Sequence, residues 1–261
     1  MDKKGAFKAS FLIVALLVIV LLVNYVFALA GTGTSGDPFQ ITNCTDLNET
    51  RNNLTAYYVL TNDVNCSDTV NWDSGKGFDP IGTMTDFEGH LDGQNHIVHD
   101  LFIKDQFVSG SALFSNIEAG SVRNLGLVNV DITSVGYPCT ASLVGYLDFY
   151  SVIDNVYATG SVNGSSLTGG LVGSSSSRSN ITNSHANVTV ISDSSEVGGL
   201  AGYSYAYGII DNCYATGDVT GSSSVGGLVG ELKDYAIVND SYATGTVTGS
   251  SGAVGGLVGI I

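Results

Sequence analysis

The chain has 261 residues, with 24 acidic against 9 basic side chains and a formal net charge of −15 at pH 7. This acidity opposes binding to nucleic acid and to anionic lipid surfaces, because both attract basic proteins. It suits a solvated external surface instead.

Residues 1–30 have the pattern of an export signal. Lys3, Lys4 and Lys8 precede the apolar run Phe11–Val23, and Ala28-Leu29-Ala30 has the small–x–small form of a cleavage site. Residues 11–30 are also long enough to span a bilayer, so the segment is predicted to be a signal peptide or a membrane anchor that forms a hydrophobic helix. The rest of the chain is then expected to be extracellular or on the cell surface, contacting the membrane only through residues 11–30.

Residues 31–86 differ in sequence pattern from the residues that follow them. They are predicted to be an N-terminal cap for the stacked structure of those later residues. Asp37–Ile41 and Tyr57–Leu60 are predicted strands. Thr45–Leu54 is a predicted short helix whose N-cap is Thr45 or Asp46.

The four cysteines are divided between two predicted states. Cys44 and Cys66 both lie in the cap, and an exported chain permits a disulfide between them, which would contribute about 3 kcal/mol. Cys213 occupies a column of small inward residues and is expected to be buried and unpaired. Cys139 is expected to be free.

A histidine-rich segment opens the predicted solenoid of residues 87–261. His90, His96 and His99 lie within eleven residues of one another, together with Asp92 and Asp100. Asp92-Gly93 predicts a turn, and strand alternation sends neighbouring side chains to opposite faces. We therefore expect no metal site here, and no pattern in the chain predicts a cofactor.

A leucine returns at a nearly fixed period through the same region, most often within Gly-Gly-Leu-Val-Gly. The steps between successive leucines are 30, 28, 29, 28 and 29 residues, for the column Leu113, Leu143, Leu171, Leu200, Leu228 and Leu257. A second column of Asn and Asp keeps the same period: Asn124, Asn155, Asn183, Asn212 and Asp240. Such a period is the signature of a repeat architecture.

The residues between these columns are typical of strands and turns. Short alternating runs of Val, Ile, Thr and Tyr are separated by Ser, Gly and Asn, and no segment carries a helical stripe. One unit of this length cannot bury its own apolar face, whereas stacked copies can. The sequence therefore predicts an all-β parallel β-helix with leucines inside and Asn at a bend, right-handed by the general crossover preference.

The repeats resemble a known family. Tyr-Ala-Thr-Gly-x-Val followed by Val-Gly-Gly-Leu-Val-Gly is similar to the GLUG motif of secreted and cell-surface proteins, most clearly over residues 150–261. Such repeats also occur beside the metallopeptidase part of IgA-cleaving enzymes, but this chain contains no His-Glu-x-x-His. The resemblance implies a structural or adhesive module.

Two kinds of surface site are predicted on the exported part. Tyr157, Tyr214 and Tyr242, with His185 between them, form an outward column that could stack sugars or could be ordinary cross-strand pairing. Eight Asn-x-Ser/Thr sequons are candidate glycosylation sites: Asn43, Asn48, Asn53, Asn65, Asn163, Asn180, Asn187 and Asn239.

These observations predict an exported structural or adhesive repeat protein without catalytic activity, whose partners are surface glycans or other surface proteins. The alternatives are a carbohydrate-active β-helix enzyme, of lyase or hydrolase type, and a fragment of a larger surface protein. No Ser-His-Asp set, Gly-x-Ser-x-Gly elbow or phosphate-binding loop is present. The sequence stops within a repeat at Ile261, so we also expect self-association through an uncovered last strand.

Overall fold

The computed structural model of this chain describes residues 29–104 and 110–261. The predicted signal peptide or anchor of residues 1–30, with its hydrophobic helix, lies almost wholly outside these residues. Within the two described ranges, no helix is both long and apolar enough to cross a membrane.

Strands are the main regular secondary structure of the described residues, and they form three sheets in which neighbouring strands run parallel. The first sheet contains β1 (Phe39–Ile41), β2 (Tyr57–Leu60), β3 (Val64–Asn65), β4 (His90–Asp92), β5 (Ile97–His99), β6 (Phe102–Lys104), β8 (Ser121–Thr133), β10 (Val152–Gly164), β13 (Asn180–Thr182), β14 (His185–Ser192), β17 (Ile209–Asp211), β18 (Tyr214–Ala215), β19 (Val219–Gly221), β22 (Ile237–Asn239), β23 (Tyr242–Ala243) and β24 (Val247–Gly249). The second sheet contains β7 (Phe114–Glu118), β9 (Val144–Asp148), β12 (Val172–Ser175), β16 (Ala201–Ser204), β21 (Val229–Leu232) and β26 (Val258–Ile260). The third sheet contains β11 (Thr168–Gly169), β15 (Ser195–Gly198), β20 (Ser223–Gly226) and β25 (Val254–Gly255).

The pairing register shows how the chain coils. Ile153 pairs with Ile181, Ile181 pairs with Ile210, and Ile210 pairs with Val238, so each strand lies on its counterpart one repeat later. The main path of the first sheet stacks eight strands in this way, which corresponds to about seven turns. The predicted all-β parallel solenoid is confirmed. Its right-handed sense stays a prediction.

The core is the set of inward columns that stacking superimposes. Leu113, Leu143, Leu171, Leu200 and Leu228 are all 0% exposed. Leu257, which was predicted to belong to the same core, is 37% exposed because no following rung packs on it in the described chain. Ile237, Val254 and Ile260 of this last rung are exposed for the same reason, and self-association through it stays a prediction.

The paired glycines of the repeat follow from the close approach of successive rungs. A Cβ at Gly199 would overlap the carbonyl oxygen of Gly227 in the next rung, and one at Gly198 would overlap the carbonyl oxygen of Ala201. A side chain at either position would overlap backbone atoms, so the corner beside the column leucines from Leu171 onward needs glycine.

The stack begins earlier than the predicted boundary at residue 87. Strands β1 and β2 already belong to the first sheet, because Phe39 pairs with Tyr58, and Tyr58 pairs with Leu91 of β4. Part of the predicted cap of residues 31–86 therefore forms the first rungs.

The helix in this region is shorter than predicted and has a different cap. Helix α1 spans Cys44–Glu49, and the Asn43 side chain accepts a hydrogen bond from the Asp46 N–H at 3.0 Å. The chain then tightens into a 3-10 turn at Thr50–Asn52. Asn43 serves better than the predicted Thr45 or Asp46 because its extended backbone directs its side chain at the first free N–H groups.

Candidate functional site

The predicted aromatic column is present on the outside of the first sheet. Tyr157, His185, Tyr214 and Tyr242 pair directly in register from β10 through β14 and β18 to β23. Successive ring centroids lie 5.3, 4.4 and 5.0 Å apart, with interplanar angles of 8°, 9° and 4°. We call these four residues the Tyr/His ladder.

This geometry changes what the ladder can do. Each ring lies flat on the next, so the faces between Tyr157 and Tyr242 are already covered by neighbouring rings. Burial lowers the pKa of His185, which favours a neutral imidazole within the stack. The ladder therefore presents ring edges and phenolic hydroxyls, and Tyr242, 51% exposed, has the most accessible ring.

A row of Asn and Asp side chains flanks the ladder; its last four members lie two residues before the four rings, and Asn124 lies one rung earlier. Asn124, Asn155, Asn183, Asn212 and Asp240 all have positive φ, between 42° and 55°, which bends the strand at the predicted position. The left-handed conformation suits Asn and Asp because their short polar side chains tolerate it. Asn155 donates to the Asn124 side-chain oxygen at 2.9 Å, and Asn212 donates to that of Asn183 at 2.8 Å.

A cleft of about 350 Å³ lies near the other end of the same sheet, with Tyr57, His90, Ser121 and Arg123 in its lining; we call it the His90 cleft. His90 Nδ1 is 2.8 Å from Ser121 Oγ, and the Tyr57 ring lies 4.5 Å from the imidazole. Burial first, and then the charge of Arg123, lowers the pKa of His90. A neutral imidazole beside a guanidinium is an arrangement that can accept a proton.

The structure gives the three histidines of this region separate partners. His90 contacts Ser121, whereas His96 Nδ1 lies 3.2 Å from an Asp63 carboxylate oxygen. His99 Nδ1 lies 2.8 Å from a carboxylate oxygen of Asp100. Among the residues that the structure describes, no group of three or more His, Cys, Asp or Glu side chains is placed to hold a metal ion.

The four cysteines occupy two environments. Cys44 and Cys66 are joined by a disulfide, which ties α1 to the residue after β3. Cys139 and Cys213 are buried and unbonded to each other. Burial raises the pKa of the Cys139 thiol to about 12 and that of Cys213 to about 11, so neither thiol is a ready nucleophile at neutral pH.

The candidate glycosylation sites differ in accessibility. Two of the eight asparagines, Asn48 and Asn180, are half-buried in the folded chain. Six are exposed: Asn43, Asn53, Asn65, Asn163, Asn187 and Asn239. The Asn43 side chain is engaged as the α1 cap, so modification there would compete with capping. Glycosylation stays a prediction.

The structure reveals a second outward stack that the sequence reasoning missed. Tyr150, Arg178, Tyr207 and Tyr235 follow one another at a corner of the solenoid, at steps of 28, 29 and 28 residues. We call these four residues the corner ladder. The four residues are spaced at the repeat length, so the column could have been recognised from the period of the sequence. It was missed because the column mixes Tyr with Arg.

Comparison with known proteins agrees with this architecture. The family model described as the GLUG motif matches residues 193–220 and 221–248. Halomucin from Haloquadratum walsbyi (strain DSM 16790 / HBSQ001) is 35% identical over 165 residues, which are 60% of this chain and 2% of Halomucin. The matched part is therefore a very small share of that relative.

A solved structure extends the similarity over most of the fold. The crystal structure of a candidate immunoglobulin A1 protease from Bacteroides ovatus matches with a TM-score of 0.72 and 27% identity. The match covers 88% of this chain and 73% of that one. The sequence repeats, the parallel solenoid and these matches together show that the chain carries GLUG-motif repeats, at residues 193–220 and 221–248, within a parallel β-solenoid.

Proposed function

We propose that this chain is an exported, surface-associated β-solenoid that acts as a structural and adhesive module and is not an enzyme. The similarity to Halomucin over 165 residues supports a surface role. The net charge of −15 and the six exposed sequon asparagines also suit an external, hydrated location.

The observation that carries the proposal is the periodic outer surface. The Tyr/His ladder and the adjoining Asn and Asp side chains repeat similar groups over four successive rungs, with rings 4.4–5.3 Å apart. A surface with one repeating chemistry is complementary to a repeating partner, such as a surface glycan or another surface protein. Because ring faces are covered, the contacts would be hydrogen bonds from phenolic hydroxyls and amides.

The location is tested on intact cells. An epitope tag inserted beside Met84, which is 98% exposed, should be accessible to antibody and external protease without lysis. A cytoplasmic marker in the same cells is the control and should be protected. Accessibility only after lysis would contradict the proposed surface location.

The adhesive role is tested by comparing two changes at one ring. On a glycan array, Tyr214→Phe removes only the hydroxyl and keeps the stack, whereas Tyr214→Ala breaks the stack between His185 and Tyr242. Loss of glycan binding in both variants supports a binding role for the ladder edge. Unchanged binding by Tyr214→Phe, with Tyr203→Phe as the control outside the ladder, would mean that the ladder is purely structural.

The His90 cleft favours a second candidate, a carbohydrate-active enzyme. A carboxylated sugar bound at Arg123 would place its acid group near the neutral His90 imidazole, which could take the proton on the carbon next to that carboxylate. The electrons of that C–H bond would form a carbon–carbon double bond as the adjacent glycosidic C–O bond breaks, and the leaving oxygen would take a proton from water. Ultraviolet detection of unsaturated uronide products from polyuronates tests this idea. Activity that His90→Ala abolishes would establish the enzyme and replace the proposal above.

A further inference from the structure

The corner ladder is built on strained turns. Phe149 and Tyr150 have φ of 48° and 62°, and the three later turns repeat this pair of positive values at 177–178, 206–207 and 234–235. Such two-residue turns favour Asn and Gly, and a bulky residue in this region costs of order 1 kcal/mol. Three of the four turns nevertheless carry an exposed tyrosine at the second position: Tyr150, Tyr207 and Tyr235.

Stacking orients the one cation of the corner ladder. The Arg178 guanidinium lies 5.8 Å from the Tyr150 ring centre and 5.5 Å from that of Tyr207, and it donates to the Tyr150 hydroxyl at 2.8 Å. Tyr207 in turn stacks on Tyr235 at 5.2 Å. The two rings and the hydrogen bond therefore fix the position of the guanidinium without neutralising its charge.

The first positions of the second and third turns leave a space beside this cation. Phe149, 51% exposed, is followed in the next rungs by the small residues Ser177 and Ala206. A pocket of about 290 Å³ results, lined by Phe149, Tyr150, Ser177, Arg178, Ala206 and Tyr207. This volume is just below the range of about 300–1,000 Å³ for small-ligand pockets, so it suits a single small group such as one sugar.

Within the described residues, the Arg178 guanidinium is not paired with an acidic side chain. Over residues 29–104 and 110–261, no carboxylate lies within ion-pair distance of its guanidinium, although acidic residues far outnumber basic ones in the chain. An exposed, pre-oriented guanidinium has free N–H donors that fit a carboxylate or sulfate. The adjacent Phe149 ring offers an apolar wall for the C–H face of a sugar.

We propose that this pocket binds an acidic sugar, with its carboxylate or sulfate on Arg178 and its ring against Phe149. The inference rests on the proposed adhesive function and names its ligand class. It concerns a site at the solenoid corner, separate from the Tyr/His ladder and the His90 cleft. The test of this site measures binding by the purified chain. A negative result would therefore contradict the site and leave the proposed surface location untouched.

The test is a titration of the full chain with three short oligosaccharides: a uronate, a sulfated glucan and a neutral glucan. We expect an acidic probe to bind and the neutral probe to bind at least about tenfold more weakly, as expected for one charge-assisted hydrogen-bonded pair. Binding by the uronate alone or by the sulfated glucan alone identifies the acid group that the site accepts.

Three variants connect the binding to the pocket. Arg178→Asn removes the cation at a positive-φ position that Asn tolerates, so the variant should fold and lose about tenfold or more in affinity. Arg178→Lys should retain part of the affinity, because the charge remains and the planar fork is lost. Lys104→Gln, which removes one exposed positive charge elsewhere, should change affinity less than about twofold.

Each outcome of these measurements either supports or overturns the proposed site. Loss of acidic-probe binding in Arg178→Asn but not in Lys104→Gln supports the site. Equal binding by the wild type and Arg178→Asn would overturn it, and so would the absence of any acidic-probe binding by the wild type. Equal affinity of the neutral and acidic probes would likewise overturn the role of the guanidinium.

Discussion

Replacing leucine by alanine at two different rungs of one column tests whether the stacking of rungs stabilises this fold. Leu200 is 0% exposed and lies between the rungs of Leu171 and Leu228; its N–H donates to the Leu228 carbonyl at 2.9 Å. Leu200→Ala would leave a cavity closed on both sides, so we expect a loss of about 3–5 kcal/mol, in the upper part of the range for such changes.

Leu257→Ala is the matched control, because it makes the same change in the same column at an end that water reaches. Leu257 is 37% exposed, so solvent can fill the space and only part of the transfer free energy is lost. We expect about 1–2 kcal/mol, scaled from the value for full burial of a leucine. The expected difference between the two variants is therefore about 2 kcal/mol.

Urea unfolding followed by circular dichroism measures both variants, and thermal midpoints provide a check. A 2 kcal/mol difference should separate the two midpoints by about 4–8 °C for a domain of this size. Equal losses at Leu200 and Leu257 would refute the idea that burial by the following rung sets the cost. A loss below about 0.5 kcal/mol at Leu200 would refute the interior column itself.

Three further predictions concern the bend, a buried thiol and an acidic surface. Asn212→Ala should destabilise the chain by about 1–2 kcal/mol in urea unfolding, since it loses the hydrogen bond to Asn183 and places Ala at a φ of 52°; Asn212→Gly should cost less, and the opposite order would contradict the bend assignment. Cys213, whose pKa burial raises to about 11, should resist a thiol reagent at pH 8 until urea unfolds the chain, and rapid native labelling would contradict its burial. The side-chain hydrogen bond with Asp86, followed by burial and nearby carboxylates, raises the pKa of Glu118, so its contribution to stability falls as pH rises through that raised value. Glu118→Gln should therefore be more stable than the wild type at pH 7 in urea unfolding, with a gap that closes toward about pH 4.5; a constant gap would contradict this sign.

The sequence by itself determined the repeat and its main columns. Because rungs stack in register, each inward leucine and each Asn at the bend must recur at the repeat length, and that periodicity is visible in the printed sequence. The outward column of Tyr157, Tyr214 and Tyr242 could be recognised for the same reason. These features can be recognised in one sequence because each column recurs several times along the chain at the repeat length.

Only the tertiary structure decided what the columns can bind. Whether a ring face is free depends on the separation of rungs and on side-chain orientation, and the structure covers the faces of the Tyr/His ladder while leaving a pocket beside Phe149. The exposure of Leu257 likewise depends on whether another rung packs on it. The contact of His90 with Ser121 joins residues 31 positions apart on neighbouring rungs. Sequence spacing reports the period of a solenoid, but accessibility is a property of the assembled surface, so the fold and its columns were predictable from the sequence and the accessibility of the candidate sites was not.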